Sequence, residues 1–247
     1  MNRKRRIVFF FLFLLCIVAL TYFNLNAYSG RIHIANVIFL LLFIVYHLTS
    51  DYPKSKIFLW VMGLFTFSSI LSALNFYASE RFTVYIYIIG LFFISGIFLI
   101  VNEIFKETRV VSVEVKKYIW PILLVVLADM LMLHKILSFL QEFQLDVQHL
   151  ISSFGFTILK MFLLSAGLIS YFASNFKSKK VNYLNVSLLA FFLSDIIDIA
   201  NYLYFTYNPL VEGLFLQNMF DIVGYVMFYN YCTYSGRFAN ATSSSEK

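Results

Sequence analysis

Leu193-Ser194-Asp195-Ile196-Ile197-Asp198-Ile199-Ala200-Asn201 sets two carboxylic acids and a carboxamide inside an otherwise apolar run. On a helix turning about 100° per residue, Asp195, Asp198 and Asn201 fall three apart along one face. That face cannot meet lipid tails. An ionised Asp at a bilayer centre costs about 2.5–3.5 kcal/mol on insertion scales, so the stripe requires a cationic partner, a proton or a shielded cavity. Other helices must therefore pack around this one.

The surroundings are of that kind. The chain of 247 residues is 61% hydrophobic and 20% aromatic, with only 13% charged residues and a mean hydropathy of +0.80. A soluble domain of this size is far less apolar, so the sequence predicts an all-α, polytopic membrane protein. Hydrophobic runs near the ~20 residues a bilayer requires predict eight transmembrane helices, at 7–23, 32–48, 57–75, 82–101, 118–138, 152–174, 184–204 and 214–234. The runs are continuous rather than alternating, which excludes a closed barrel. Residues 1–238 are read as one transmembrane domain and 239–247 as a disordered cytoplasmic tail.

Lysine and arginine orient it. With the N-terminus inside, Arg3, Lys4, Arg5, Arg6, Lys54, Lys56, Lys106, Arg109, Lys116, Lys117, Lys177, Lys179, Lys180, Arg237 and Lys247 are cytoplasmic, against Arg31 and Arg81 outside. This asymmetry predicts cytoplasmic termini. The low glycine count and the richness in Phe, Ile, Asn and Lys suit an AT-rich bacterial genome, and with it a bacterial inner (plasma) membrane location. Topology and anionic headgroups then account for the net charge of +6, and no nucleic acid partner is implied. Met1 to Arg6 and the apolar run behind it resemble a signal peptide. The stretch Asn24 to Ser29 is a poor cleavage site, so a retained first helix is expected.

His33, Asn36 and His47 lie near the ends of span two, where interfacial hydrogen bonding explains them. Cys16 and Cys232 are isolated packing thiols. Asn240-Ala241-Thr242 spells a glycosylation sequon in a tail expected to be cytoplasmic. The sequence has no Gly-rich phosphate loop, nucleophile elbow or Cys/His ligand cluster, so neither cofactor nor metal is expected.

Spans three and seven align, with Ser68 over Ser194 and Asn75 over Asn201, 126 positions apart. Tyr87 to Gly90 over Asp221 to Gly224 extends the match to spans four and eight at an offset of 134. An even number of spans per half makes this a parallel 4+4 duplication of 7–101 and 118–234. Only the second half carries buried acids. Counting ~1.5 Å per residue from the span ends, Asp129 and Asp195 lie ~16 Å deep, Asp198 ~20 Å, Lys160 ~12 Å and Asp221 ~10 Å, all between the midplane and the outer leaflet. The bland reading pairs Lys160 with one Asp and leaves the rest as helix glue. The functional reading makes the slab a site.

The eight-span layout, Leu193-Ser194-Asp195 with Asn201 in span seven, Phe67-Ser68 in span three and Ile89 to Ser95 in span four resemble the YhhN-like lysoplasmalogenase family. The resemblance implies a membrane hydrolase that cleaves the vinyl ether bond of lysophospholipids, with a membrane lipid as substrate. It implies one acidic residue in span three and one in span seven. Asp195 matches the second. Ser72 stands at the first, and Gly96 stands where span four usually has a His. The expected catalytic residues are therefore Asp195 as acid, with Asp198, Asp221 or Asp129 as its partner. Asn201, Ser194, Ser72 and Lys160 are expected to bind substrate. Vinyl ether cleavage starts by protonating the alkene carbon, which calls for a neutral carboxylic acid, and a second carboxylate can steady the oxocarbenium ion or activate water. A small-solute or proton-coupled transporter and an inactive lipid-binding protein are the alternatives.

Overall fold

The computed structural model describes residues 11, 12, 15, 16, 18–20, 22, 29–52, 54–77, 83–108, 115–142, 147–174, 178–204 and 211–242. Among them the fold is all-α, with eight helices and no strand. Residues 11, 12, 15, 16, 18–20 and 22 belong to the first helix, α1. The others are α2 (Ser29–Thr49), α3 (Lys56–Tyr77), α4 (Thr83–Thr108), α5 (Val115–Glu142), α6 (Val147–Ala173), α7 (Lys179–Tyr204) and α8 (Val211–Thr242). Each of these seven overlaps one expected hydrophobic run, and α8 runs to Thr242, four residues into the stretch read as tail. The basic run Met1 to Arg6, the cleavage-site stretch 24–28 and residues 243–247 lie outside the described residues.

Five of the helices contain segments long and apolar enough to cross a membrane: Lys56–Tyr77, Ile86–Thr108, Ile119–Phe139, Gly155–Ala173 and Lys179–Asn201. His33–Thr49 is apolar but shorter. The outer surface matches. Trp60 and Trp120 are 68% and 74% exposed, and Leu15, Leu91 and Leu124 are each more than 60% exposed. Large apolar side chains facing outward on helix after helix suit lipid and would aggregate in water.

The chain divides into two compact units, Met1–Gly96 with Val226–Lys247, and Ile97–Tyr225. In the first, α3 is capped by Ser55, whose hydroxyl accepts from the Phe58 N–H at 3.3 Å. His47, fully buried, lies against Phe58 and Tyr229, and its Nε2 accepts from the Ser55 N–H at 2.9 Å. Lys54 Nζ donates to the His47 carbonyl at 2.7 Å and to that of Ser50, satisfying the end of α2. His47 thus has a structural part near the end of α2, but it plays it fully buried among aromatic rings. Where α3 crosses α4, a Cβ on Gly96 would stand 2.5–3.0 Å from the Phe65 ring, so the crossing requires glycine. The Ser68 hydroxyl donates to the Ile89 carbonyl at 3.0 Å beside it.

In the second unit, Ser178 caps α7 through the Val181 N–H at 3.2 Å. Helix α6 has two working faces. Ile158 and Met161 pack with Met132, Ile136 and Phe139 of α5 and with Ile199 of α7. The opposite face turns Lys160 toward Asp195 of α7 and sets Gly167 against Leu188 of α7 and Val101 and Ile104 of α4. Near the ends, Lys180 pairs with Glu107 at 2.5 Å, Thr108 with Ser170 at 2.9 Å, and the Tyr171 hydroxyl donates to Asn182 at 2.6 Å.

Candidate functional site

The polar residues of α7 divide between two neighbours. Steps of three residues leave a helix face by about 60° each, so Asp195 and Asn201 end up about 120° apart rather than on one stripe. The residues of α7 that meet α8 are instead Ser187, Phe191, Ser194, Asp198 and Asn201, spaced 4-3-4-3, the period of a close helix seam. Opposite them on α8 stand Gly224, Asp221, Gln217 and Gly213, met in antiparallel order. Ser187 donates to the Gly224 carbonyl at 2.8 Å. Ser194 donates to the Gln217 carbonyl at 3.4 Å and stands beside Asp221. Gln217 Nε2 donates to Asp198 Oδ1 at 3.0 Å. The Asn201 carboxamide fills the space where a Cβ on Gly213 would sit. Phe191 does the same at Gly224, where a Cβ would lie 2.7–2.9 Å from its ring.

Asp195 turns off this seam toward α6. Its Oδ1 accepts from Lys160 Nζ at 2.5 Å, an ion pair with side chains 11% and 7% exposed. Asp195 Oδ2 is buried and makes no hydrogen bond. Asp221 and Asp198 stand within electrostatic reach of the same ammonium, and the Tyr225 hydroxyl is within reach of Asp221 and Asp195. One cation thus faces three carboxyls. The centre is graded in access: Asp195 is sealed, Asp221 half-buried and Asp198 exposed.

Of the expected site residues, Asp195, Asp198, Asp221, Lys160 and Ser194 come together here, and Asn201 lies about one helical turn beyond Asp198 along the seam. Asp129 does not join them: its neighbour is Ser165 on the other face of α6. Ser72 belongs to the first unit, where its hydroxyl donates to the Ser68 carbonyl of its own helix at 3.0 Å. Gln217, which holds Asp198, was missed. The signal was there, since it lies one turn before Asp221 on α8. Asp195, the expected acid, is the carboxyl tied to the lysine ammonium. Cys16 and Cys232 are both half-buried. No group of three or more His, Cys, Asp or Glu among the described residues is arranged to hold a metal ion.

No protein-family model, curated protein or solved structure matches the chain.

Proposed function

We propose that the chain is an eight-span integral membrane protein of the bacterial inner membrane, with both termini cytoplasmic, whose α6–α8 centre performs carboxylic acid–base chemistry on a membrane lipid. The specific reading is a lysoplasmalogenase-type hydrolase, akin to the YhhN-like proteins, acting on the vinyl ether bond of a lysophospholipid. The observation that carries it is the Lys160 ammonium shared among three carboxyls that run from sealed to exposed. A single positive charge cannot neutralise three carboxylates in a low-dielectric interior, so the centre retains protons beside an ionised Asp195. A neutral acid and a carboxylate in contact are what the reaction requires. Asp198 or Asp221 donates a proton to the alkene carbon, and Asp195 with Lys160 steadies the oxocarbenium ion or takes a proton from water. The resulting hemiacetal collapses to a fatty aldehyde and a glycerophospho-alcohol. The exposure of Asp198 on a bundle with apolar flanks favours a substrate arriving from lipid.

A parallel 4+4 duplication is part of this reading, and recurring contacts support it. Phe65 against Gly96 and Ser68 to the Ile89 carbonyl recur as Phe191 against Gly224 and Ser194 to the Gln217 carbonyl. The α3 and α7 members stand 126 apart, as in the sequence alignment. The α4 and α8 members stand 128 apart, Gly96 to Gly224 and Ile89 to Gln217, and replace the offset of 134 taken from Gly90. The buried face of α3, Phe58, Val61, Met62, Phe65, Thr66 and Ser68, falls at that 126 spacing on six buried residues of α7, and Asn75 and Asn201 each bury an amide atom without a partner. In this register Ser69, Ser72 and Phe93 stand where the second half has Asp195, Asp198 and Asp221.

A second reading, a proton-coupled transporter of small solutes, is favoured by the Lys160–Asp195 pair itself, because an ion pair joining two helices can open when a proton replaces the ammonium. Purified protein in liposomes separates the two. The hydrolase releases aldehyde from a lysoplasmalogen with no ion gradient, and Asp195→Asn and Asp221→Asn reduce it at least tenfold. Absence of aldehyde release from the wild type, or equal rates in all three proteins, removes the hydrolase reading.

A further inference from the structure

Asp129 is the buried acid that the Lys160 centre leaves unused. It sits at an inward position of α5, three residues before Met132 and seven before Ile136, in the row that packs on α6. It is 7% exposed, and Ser165, the α6 residue facing it, is 3% exposed. Asp129 Oδ1 and Ser165 Oγ are both buried without a hydrogen bond of normal geometry. Among the described residues no ion pair includes Asp129. Lys160, five residues before Ser165, is engaged by Asp195, and His134 and Lys135 of α5 are themselves exposed. An apolar helix seam has every reason to exclude a carboxyl that serves only packing, since leucine there would bury more apolar surface and leave no polar atom unsatisfied.

We propose that Asp129 and Ser165 form a second proton-binding site, separate from the Lys160 centre, that exchanges its proton with water. The ligand is a proton rather than a metal cation, because hard cations take about six oxygen ligands and this pair offers one carboxyl and one hydroxyl, with the flanking carbonyls committed to helix bonds. With the proton on, the carboxyl donates to Ser165 Oγ and both orphaned atoms are satisfied. With it off, the hydroxyl turns to donate to the carboxylate, so Ser165 serves both states. Protonation forms the Asp O–H bond from a hydronium ion and leaves water, and release reverses it.

The site stands whether or not the hydrolase reading does, and its test uses no substrate. Infrared difference spectra of the purified protein in lipid membranes are compared for wild type, Asp129→Asn and Ser165→Ala, in H₂O and D₂O. The expected result is a protonated-carboxyl carbonyl band that Asp129→Asn removes, that Ser165→Ala displaces without removing, and that shifts in D₂O. Loss of no such band in Asp129→Asn overturns the proposal. So does a band insensitive to D₂O, which marks a sealed structural acid. Should Asp129→Asn not fold, displacement of the wild-type band by Ser165→Ala decides alone.

Discussion

Lys160 and its three carboxyls set the energetics at the residue scale. The ammonium satisfies Asp195 Oδ1 directly, while Asp198 depends on a neutral donor, Gln217 Nε2 at 3.0 Å. A single bond from a neutral donor has a modest net worth. Gln217→Leu is predicted to lower stability by only about 1 kcal/mol in a thermal unfolding assay in detergent. Gln217→Glu is predicted to cost more, because it adds a fourth carboxyl to a group already short of positive charge. A larger loss in Gln217→Leu than in Gln217→Glu would show that packing, not charge, governs the α7–α8 seam.

Helix crossings carry the next level. Two aromatic rings lie on two glycines, Phe65 on Gly96 and Phe191 on Gly224, and each crossing is accompanied by a serine that bonds a carbonyl seven residues before the glycine. A methyl group at either glycine meets a ring within 3 Å, so Gly96→Ala and Gly224→Ala are each predicted to destabilise by about 1–3 kcal/mol. Gly63→Ala is the control, since nothing lies within 4 Å of a Cβ there and alanine is the better helix former. Phe191→Leu should restore much of the loss in Gly224→Ala, as Phe65→Leu should in Gly96→Ala. Similar penalties and rescues at both crossings are what a duplicated helix pair predicts; a penalty at one crossing alone would count against the duplication.

At the scale of the whole molecule, the lysine and arginine asymmetry predicts that reporter enzymes fused after Asp51, Arg109 and Lys177 report a cytoplasmic location, and those fused after Ala27 and Arg81 an external one. A reversal at any one of these points would change the number of spans. The helices and the acidic character of the second half were legible because hydropathy and a carboxyl in an apolar run each act locally. What could not be read was azimuth. Asp195, Asp198 and Asn201 share a spacing of three, yet only the packing partners decide that Asp195 turns to α6 and the other two to α8. Asp129 was grouped with them by depth, and depth says nothing about which face of α6 a residue meets. Gln217 was overlooked because an uncharged amide near a helix end gives no signal until its partner is known.

The Lys160–Asp195 pair is the core of this account, and a double-mutant cycle tests it most directly. Unfolding free energies in lipid–detergent bicelles are measured for wild type, Lys160→Met, Asp195→Asn and the double variant. Breaking a buried pair from one side strands a charge and costs about 3–5 kcal/mol, whereas removing both partners costs much less. The predicted result is a double variant more stable than Lys160→Met, with a coupling of about 2 kcal/mol or more. Additive effects of the two substitutions would contradict the pairing and with it the shared centre.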